Sequence, residues 1–108
     1  MLNFKVGVKI KGLQAEALLG LLLAEQIIES NPLSFENTPS PFVVTSCLDG
    51  VHGTNSLHYK GLAFDVRTRN FSSTLQQSLY AKLKEILNPL GFDVVLEVDH
   101  FHIEFDSK

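Results

Sequence analysis

Two hydrophobic periods alternate along this chain, and their order leaves few folds open. From Phe4 to Lys11, apolar and basic residues alternate at a period of two, the pattern of a short edge strand with its lysines in water. Gly12 ends it, and from Leu13 to Ser30 the period becomes helical, with Leu18, Leu19, Leu22, Leu23, Ile27 and Ile28 on a wide apolar face. Leu21 and Ala24 carry that stripe most of the way round, which predicts a helix buried on two sides or packed in an oligomer. Asn31-Pro32 stops it, and the proline-containing stretch to Pro41 reads as an ordered surface loop. Phe42–Thr45 and Leu62–Arg67 read as strands, separated by a polar loop over Leu48–Leu57. Ser73 with Gln76 forms a capping box for a second helix, whose core face is Leu75, Leu79, Leu83, Ile86 and Leu87. Asn88-Pro89 and Gly91 end that helix, and Phe92–Phe105 reads as strand with an irregularity near Asp99. The order β-α-β-β-α-β predicts an α+β fold: a small, mainly antiparallel sheet with two principal helices.

Composition narrows the function classes. The 108 residues predict one domain, and a 44% hydrophobic content supports a packed core. Nine Lys and Arg against 12 Asp and Glu leave a net charge of -3, with no basic cluster to displace counterions, so nucleic acid is not an expected partner. One cysteine, Cys47, excludes an internal disulfide, so stability must come from packing or a metal. The longest apolar stretch, Leu18–Ile28, is interrupted by Glu25 and Gln26 and is too short to span a membrane. The first residues lack the plan of a signal peptide, so the expected site of synthesis is the cytoplasm.

All four histidines fall between positions 52 and 102, in two clusters. One is Ser56-Leu57-His58-Tyr59-Lys60-Gly61-Leu62-Ala63-Phe64-Asp65, and the other runs from Glu97 through Asp99, His100 and His102 to Glu104. A catalytic zinc site takes three protein ligands, commonly imidazole and carboxylate, and keeps one position open. His58 closes a loop, Gly61 permits a sharp turn, and Asp65 points back from the strand that follows. Ala63 shares the parity of Asp65 and leaves room beside it, and the His100/His102 pair offers a third ligand. Cys47 reads as a small buried hydrophobe, and Glu104 and Asp106 as solvent-facing residues at the chain end.

The spacing Ser56-x-His58-x-x-Gly61-x-Ala63-x-Asp65, followed by Asp99-His100-x-His102, resembles the zinc D-Ala-D-Ala carboxypeptidase family, which includes phage L-alanyl-D-glutamate endopeptidases. Thr45-Ser46 and Asp49-Gly50-x-His52 add to the likeness, and the related hedgehog signalling domain shows the same pattern. The resemblance covers roughly residues 42–105 and implies a single zinc peptidase-like domain over 1–108, with a hedgehog/DD-peptidase-like fold. It implies zinc ligands at His58, Asp65 and His102, and Asp99 as general base for a zinc-activated water. Ser56 and His52 would line the substrate side. A competing register, with Glu97 as base and His100 as ligand, keeps the same three-residue spacing. Strict strand alternation would put His100 and His102 on one face and Asp99 on the other, so Asp99 needs a bend or bulge near His100.

The implied function is zinc-dependent hydrolysis of a peptide bond in peptidoglycan stem peptides. Many members carry a carboxylate-binding arginine after the Thr-Ser pair, where this chain has Cys47-Leu48-Asp49. That departure favours L-Ala-D-Glu endopeptidase activity over D-Ala-D-Ala carboxypeptidase activity. Arg67, on the face of Asp65, is the residue that would supply the missing cation. The resemblance also admits a non-catalytic zinc-binding or virion structural domain. A phage-type lysis enzyme without a leader would reach the cell wall by an auxiliary route, and the pattern leaves the oligomeric state open.

Overall fold

A computed structural model describes residues 1–48 and 60–106. Its elements are β1 (Asn3–Phe4), α1 (Ala15–Glu29), β2 (Val43–Ser46), β3 (Ala63–Arg67), α2 (Ser73–Leu87), β4 (Phe92–Leu96) and β5 (His100–Phe105), with short 3₁₀ turns over Pro32–Phe35 and Asn88–Leu90. The strands form one sheet in the order β1-β2-β3-β5-β4. Only β1 runs parallel to its neighbour, and the other pairs are antiparallel. The fold is therefore α+β with a mostly antiparallel sheet, and no described helix is long and apolar enough to cross a membrane.

Alternation along the strands sorts the sheet into two faces. Phe64, Val66, Phe92, Val94, Phe101 and Ile103 join one core cluster with Leu21, Ile28, Leu75, Leu79, Leu83 and Leu87 from the helices. The opposite face carries Ala63, Asp65 and Arg67 from β3 against Glu104, His102 and His100 from β5.

The second helix buries Leu75, Leu79, Leu83 and Leu87, with Ile86 packed at the core edge, as its period predicts. Its cap is shifted by one residue from expectation. Ser72 Oγ accepts from the Leu75 backbone N–H at 3.2 Å, so Ser72 is the N-cap. Gln76 is then one residue too far along to close a capping box, and its amide donates instead to the carbonyls of Thr68 and Phe71.

The first helix turns a different face inward than its leucines suggest. Ala17, Gly20, Leu21, Ala24, Ile27 and Ile28 are buried, while Leu18, Leu19 and Leu22 are 42–53% exposed. The small residues of this face, Ala17, Gly20 and Ala24, let the helix approach the sheet closely while Leu21, Ile27 and Ile28 fill the core. A side chain at Gly20 would run into the Phe92 ring. The N-terminal strand is also shorter than its alternation predicts, because Gly7 takes φ +92° and the chain turns back, with Val8 N–H bonding to the Lys5 carbonyl.

The last expected strand is a hairpin. The chain reverses between Leu96 and His100, with Glu97 N–H donating to the His100 carbonyl at 2.8 Å. Residues 97–99 are exposed and form the reversal, which is the physical form of the irregularity expected near Asp99. Gly61 sets the entry to β3. It adopts φ +72°, its carbonyl accepts from Gln14 N–H at 2.8 Å, and an added Cβ would collide with the Gly12 carbonyl oxygen. Gly61→Ala should therefore be more destabilising than Gly20→Ala in urea unfolding, because a backbone carbonyl yields less readily than the edge of a ring. Overpacking at Gly20, at about 1–3 kcal/mol, is partly offset by the ~1 kcal/mol gain in helix propensity. A Gly61→Ala protein as stable as the parent would show that this turn is not under the constraint described.

Candidate functional site

The pairing of β3 with β5 assembles the site. Asp65 lies directly opposite His102, and Arg67 directly opposite His100. Asp65 Oδ1 is 2.9 Å from His102 Nδ1, and Asp65 Oδ2 is 3.7 Å from His100 Nε2. The contacts continue at both ends: His100 Nδ1 sits 2.6 Å from Asp99 Oδ1, and His102 Nε2 sits 2.7 Å from Glu104 Oε1. The result is a line of alternating carboxylates and imidazoles, Asp99-His100-Asp65-His102-Glu104, across the polar face. Asp65 is 8% exposed, and Ala63 beside it is fully buried.

Burial and charge explain the titration of this line. The hydrogen bond to Asp65 raises the pKa of His102 to about 9, against the opposing effect of burial, and Glu104 adds to the rise. Protonated His102 donates from Nδ1 to Asp65 and from Nε2 to Glu104. The hydrogen bond from His100 holds Asp99 below the usual carboxylate range, so it is ionised at neutral pH.

Several expectations can be set against this geometry. Asp65 and His102 are brought into contact, and His100 stands next to both Asp65 and Asp99. Asp99 escapes the alternation argument because it precedes β5, in the hairpin turn, where strand parity does not apply. Glu97 lies at the start of that turn and is exposed. The expected site residues His52, Ser56 and His58, together with Asp49, lie outside the described residues. Cys47 is fully buried, as a small apolar side chain would be.

Glu104 and Asp106 depart from expectation, since neither simply faces solvent. Glu104 bonds to His102, and Asp93, Glu104 and Asp106 offer carboxylate oxygens within 4.8 Å of one another. The parity of His100, His102 and Glu104 was available to find Glu104. Asp93 needed the β4–β5 register, which places it opposite Glu104. A cavity of about 90 Å³ opens at the other end of the line, lined by Lys5, Thr45, Arg67, Arg69 and Asp99. A larger cavity, of about 450 Å³, lies between α1 and α2, away from this face, and gathers no comparable set of titratable groups.

Searches of protein-family models, curated proteins and solved structures found no match to this chain.

The raised His102 pKa has a definite sign for stability. A histidine at about 9 in the folded state and ~6.5 in the unfolded state contributes fully below pH ~6.5 and loses that contribution as pH rises through 9. Metal-free protein should thus lose stability between pH 6.5 and 9, with a slope of up to about 1.4 kcal/mol per pH unit from this group. Chemical denaturation across that range should show His102→Gln with a flatter profile. An unchanged profile would remove His102 as the titrating group.

Proposed function

We propose that this chain is a zinc-dependent hydrolase of a peptide bond in peptidoglycan stem peptides. The observation that carries the reading is the pairing of buried Asp65 with half-buried His102 on the polar face of the sheet, flanked by Glu104 and His100. The donor set suits a cation. Asp65 and Glu104 already stabilise a positive charge on the imidazole between them, and one carboxylate oxygen and one imidazole nitrogen face each other. His58, Asp65 and His102 are the residues that would hold zinc. When bound, the metal supplies Lewis acidity that acidifies water and polarises a carbonyl.

The chain's own residues supply the rest. Asp99 is an ionised carboxylate at the rim, hydrogen-bonded to His100, and in this reading it would take a proton from an attacking water and return it to the leaving amine. His100 is a positioning residue that ties Asp99 to Asp65. The direct opposition of Asp65 and His102 supports the Asp99/His102 register over Glu97/His100. The reaction we favour is cleavage of L-Ala-D-Glu. The alternative is removal of terminal D-Ala, whose free carboxylate Arg67 would meet in the cavity that it lines with Asp99.

The test is digestion of purified peptidoglycan by zinc-loaded protein, with products identified by mass spectrometry. Asp99→Asn should keep about one zinc per chain while the rate falls by ~10² or more. His58→Ala, Asp65→Ala and His102→Ala should each lose metal, and His100→Ala should weaken it less. Full zinc occupancy in both His58→Ala and Asp65→Ala would sink the ligand assignment. Metal binding without cleavage would leave a zinc-binding domain in place of an enzyme.

A further inference from the structure

The cavity at the Asp99 end of the line gathers three cations from two distant parts of the chain. Lys5 follows β1, and Arg67 and Arg69 stand two residues apart at the end of β3. Lys5 N–H bonds to the Val44 carbonyl at 2.8 Å, which extends the β1–β2 pairing and brings this lysine to the cavity. Thr45 completes the lining from β2. The register slips between Val44 and Ser46, so Thr45 is the extra residue of a bulge, a device that re-aims a side chain. Thr68 N–H bonds to the Asp99 carbonyl at 3.1 Å and holds the end of β3 against the hairpin turn.

Charge is unbalanced here. Among the described residues, no ion pair engages Lys5, Arg67 or Arg69, and the acid in the lining, Asp99, is hydrogen-bonded to His100. The Asp99 carboxylate offsets one of the three positive charges, and the two left in excess around one small space repel one another unless a further anion joins them. The space, about 90 Å³, has room for roughly three water-sized groups, which suits one carboxylate and little more.

We propose that Lys5, Thr45, Arg67 and Arg69 form a carboxylate subsite that takes the free α-carboxylate of the residue leaving through its amine. The proposal rests on the hydrolase reading for its substrate and on the cavity for its chemistry. Both candidate bonds present such a group. Terminal D-Ala carries it by being last in the stem, and D-Glu carries it because the stem continues through its side-chain carboxyl. A guanidinium grips a carboxylate with two parallel N–H···O bonds, so Arg67 or Arg69 fixes its orientation while Lys5 adds charge. This also accounts for the arginine missing after Ser46: the cations come from β1 and the end of β3 instead.

The experiment uses the full chain, zinc-loaded, and four synthetic stem peptides. D-Glu is either the α-acid or the α-carboxamide, and the terminal D-Ala is either acid or amide. Binding is measured by calorimetry and cleavage by mass spectrometry, for the parent, Lys5→Gln, Arg67→Gln, Arg69→Gln and Arg67→Lys, with thermal melts to confirm folding. We expect amidation at one of the two positions to weaken binding about tenfold or more. Arg67→Gln should abolish that acid preference, and Arg67→Lys should restore part of it. The position where amidation matters identifies the leaving residue. Acid and amide peptides bound equally, with cleavage intact, would overturn the subsite and spare the hydrolase. An acid preference lost in Arg67→Gln without cleavage of any peptide would uphold the subsite and remove the hydrolase reading. Absence of binding by all four peptides, or tighter binding of inorganic phosphate than of any peptide acid, would overturn the carboxylate assignment.

Discussion

The hydrogen-bonded register of β3 against β5 governs both faces of this protein. It sets Asp65 opposite His102 on one side and Phe64 opposite Ile103 on the other. Side chains alternate strictly along a strand, so a slip of one residue in one strand would turn its polar side chains into the core and its apolar ones into water. The core and the candidate site are consequently not separate achievements of the fold. Burial of Phe64, Val66, Phe101 and Ile103 is what holds the carboxylates and imidazoles in line.

That line is also an electrostatic gradient. At one end stand Lys5, Arg67 and Arg69, and at the other Asp93, Glu104 and Asp106. Asp65 and His102 sit between them at the least exposed point, where lower dielectric strengthens each interaction. Such an arrangement draws an anionic group to one end and a cation toward the carboxylates. On the proposed hydrolase reading, the cationic end would orient a charged peptide while the carboxylates nearer the middle would hold a metal. Among the described residues, no ion pair engages the cations that line this cavity.

Much of this architecture was legible in the residue pattern. The α+β class, the five apolar positions of the second helix and the strand before Arg67 follow from periodicity. So does the special conformation at Gly61, because the chain must turn there before β3. The parity of Ala63, Asp65 and Arg67 was equally readable, as was that of His100, His102 and Glu104. The nearby Asp99 was harder, because parity argues from continuous strand and this residue precedes one. The first helix misled for another reason. Its leucines outweigh its small residues in any hydrophobic pattern, yet the face turned inward sets Ala17, Gly20 and Ala24 beside Leu21, Ile27 and Ile28, with Phe92 standing over Gly20.

By itself, then, the sequence determined the two helices, the strand that carries Asp65 and which side chains share a face of β3 and of β5, since those depend on spacing along the chain. Only the tertiary structure decided that Asp65 meets His102, that Glu104 lies beside Asp93, and that Lys5 reaches Arg67 and Arg69. Those meetings join residues 11 to 64 positions apart, and they depend on strand order and register. No local propensity encodes that choice. It is made by the free energy of burying one apolar face of a whole sheet against two helices.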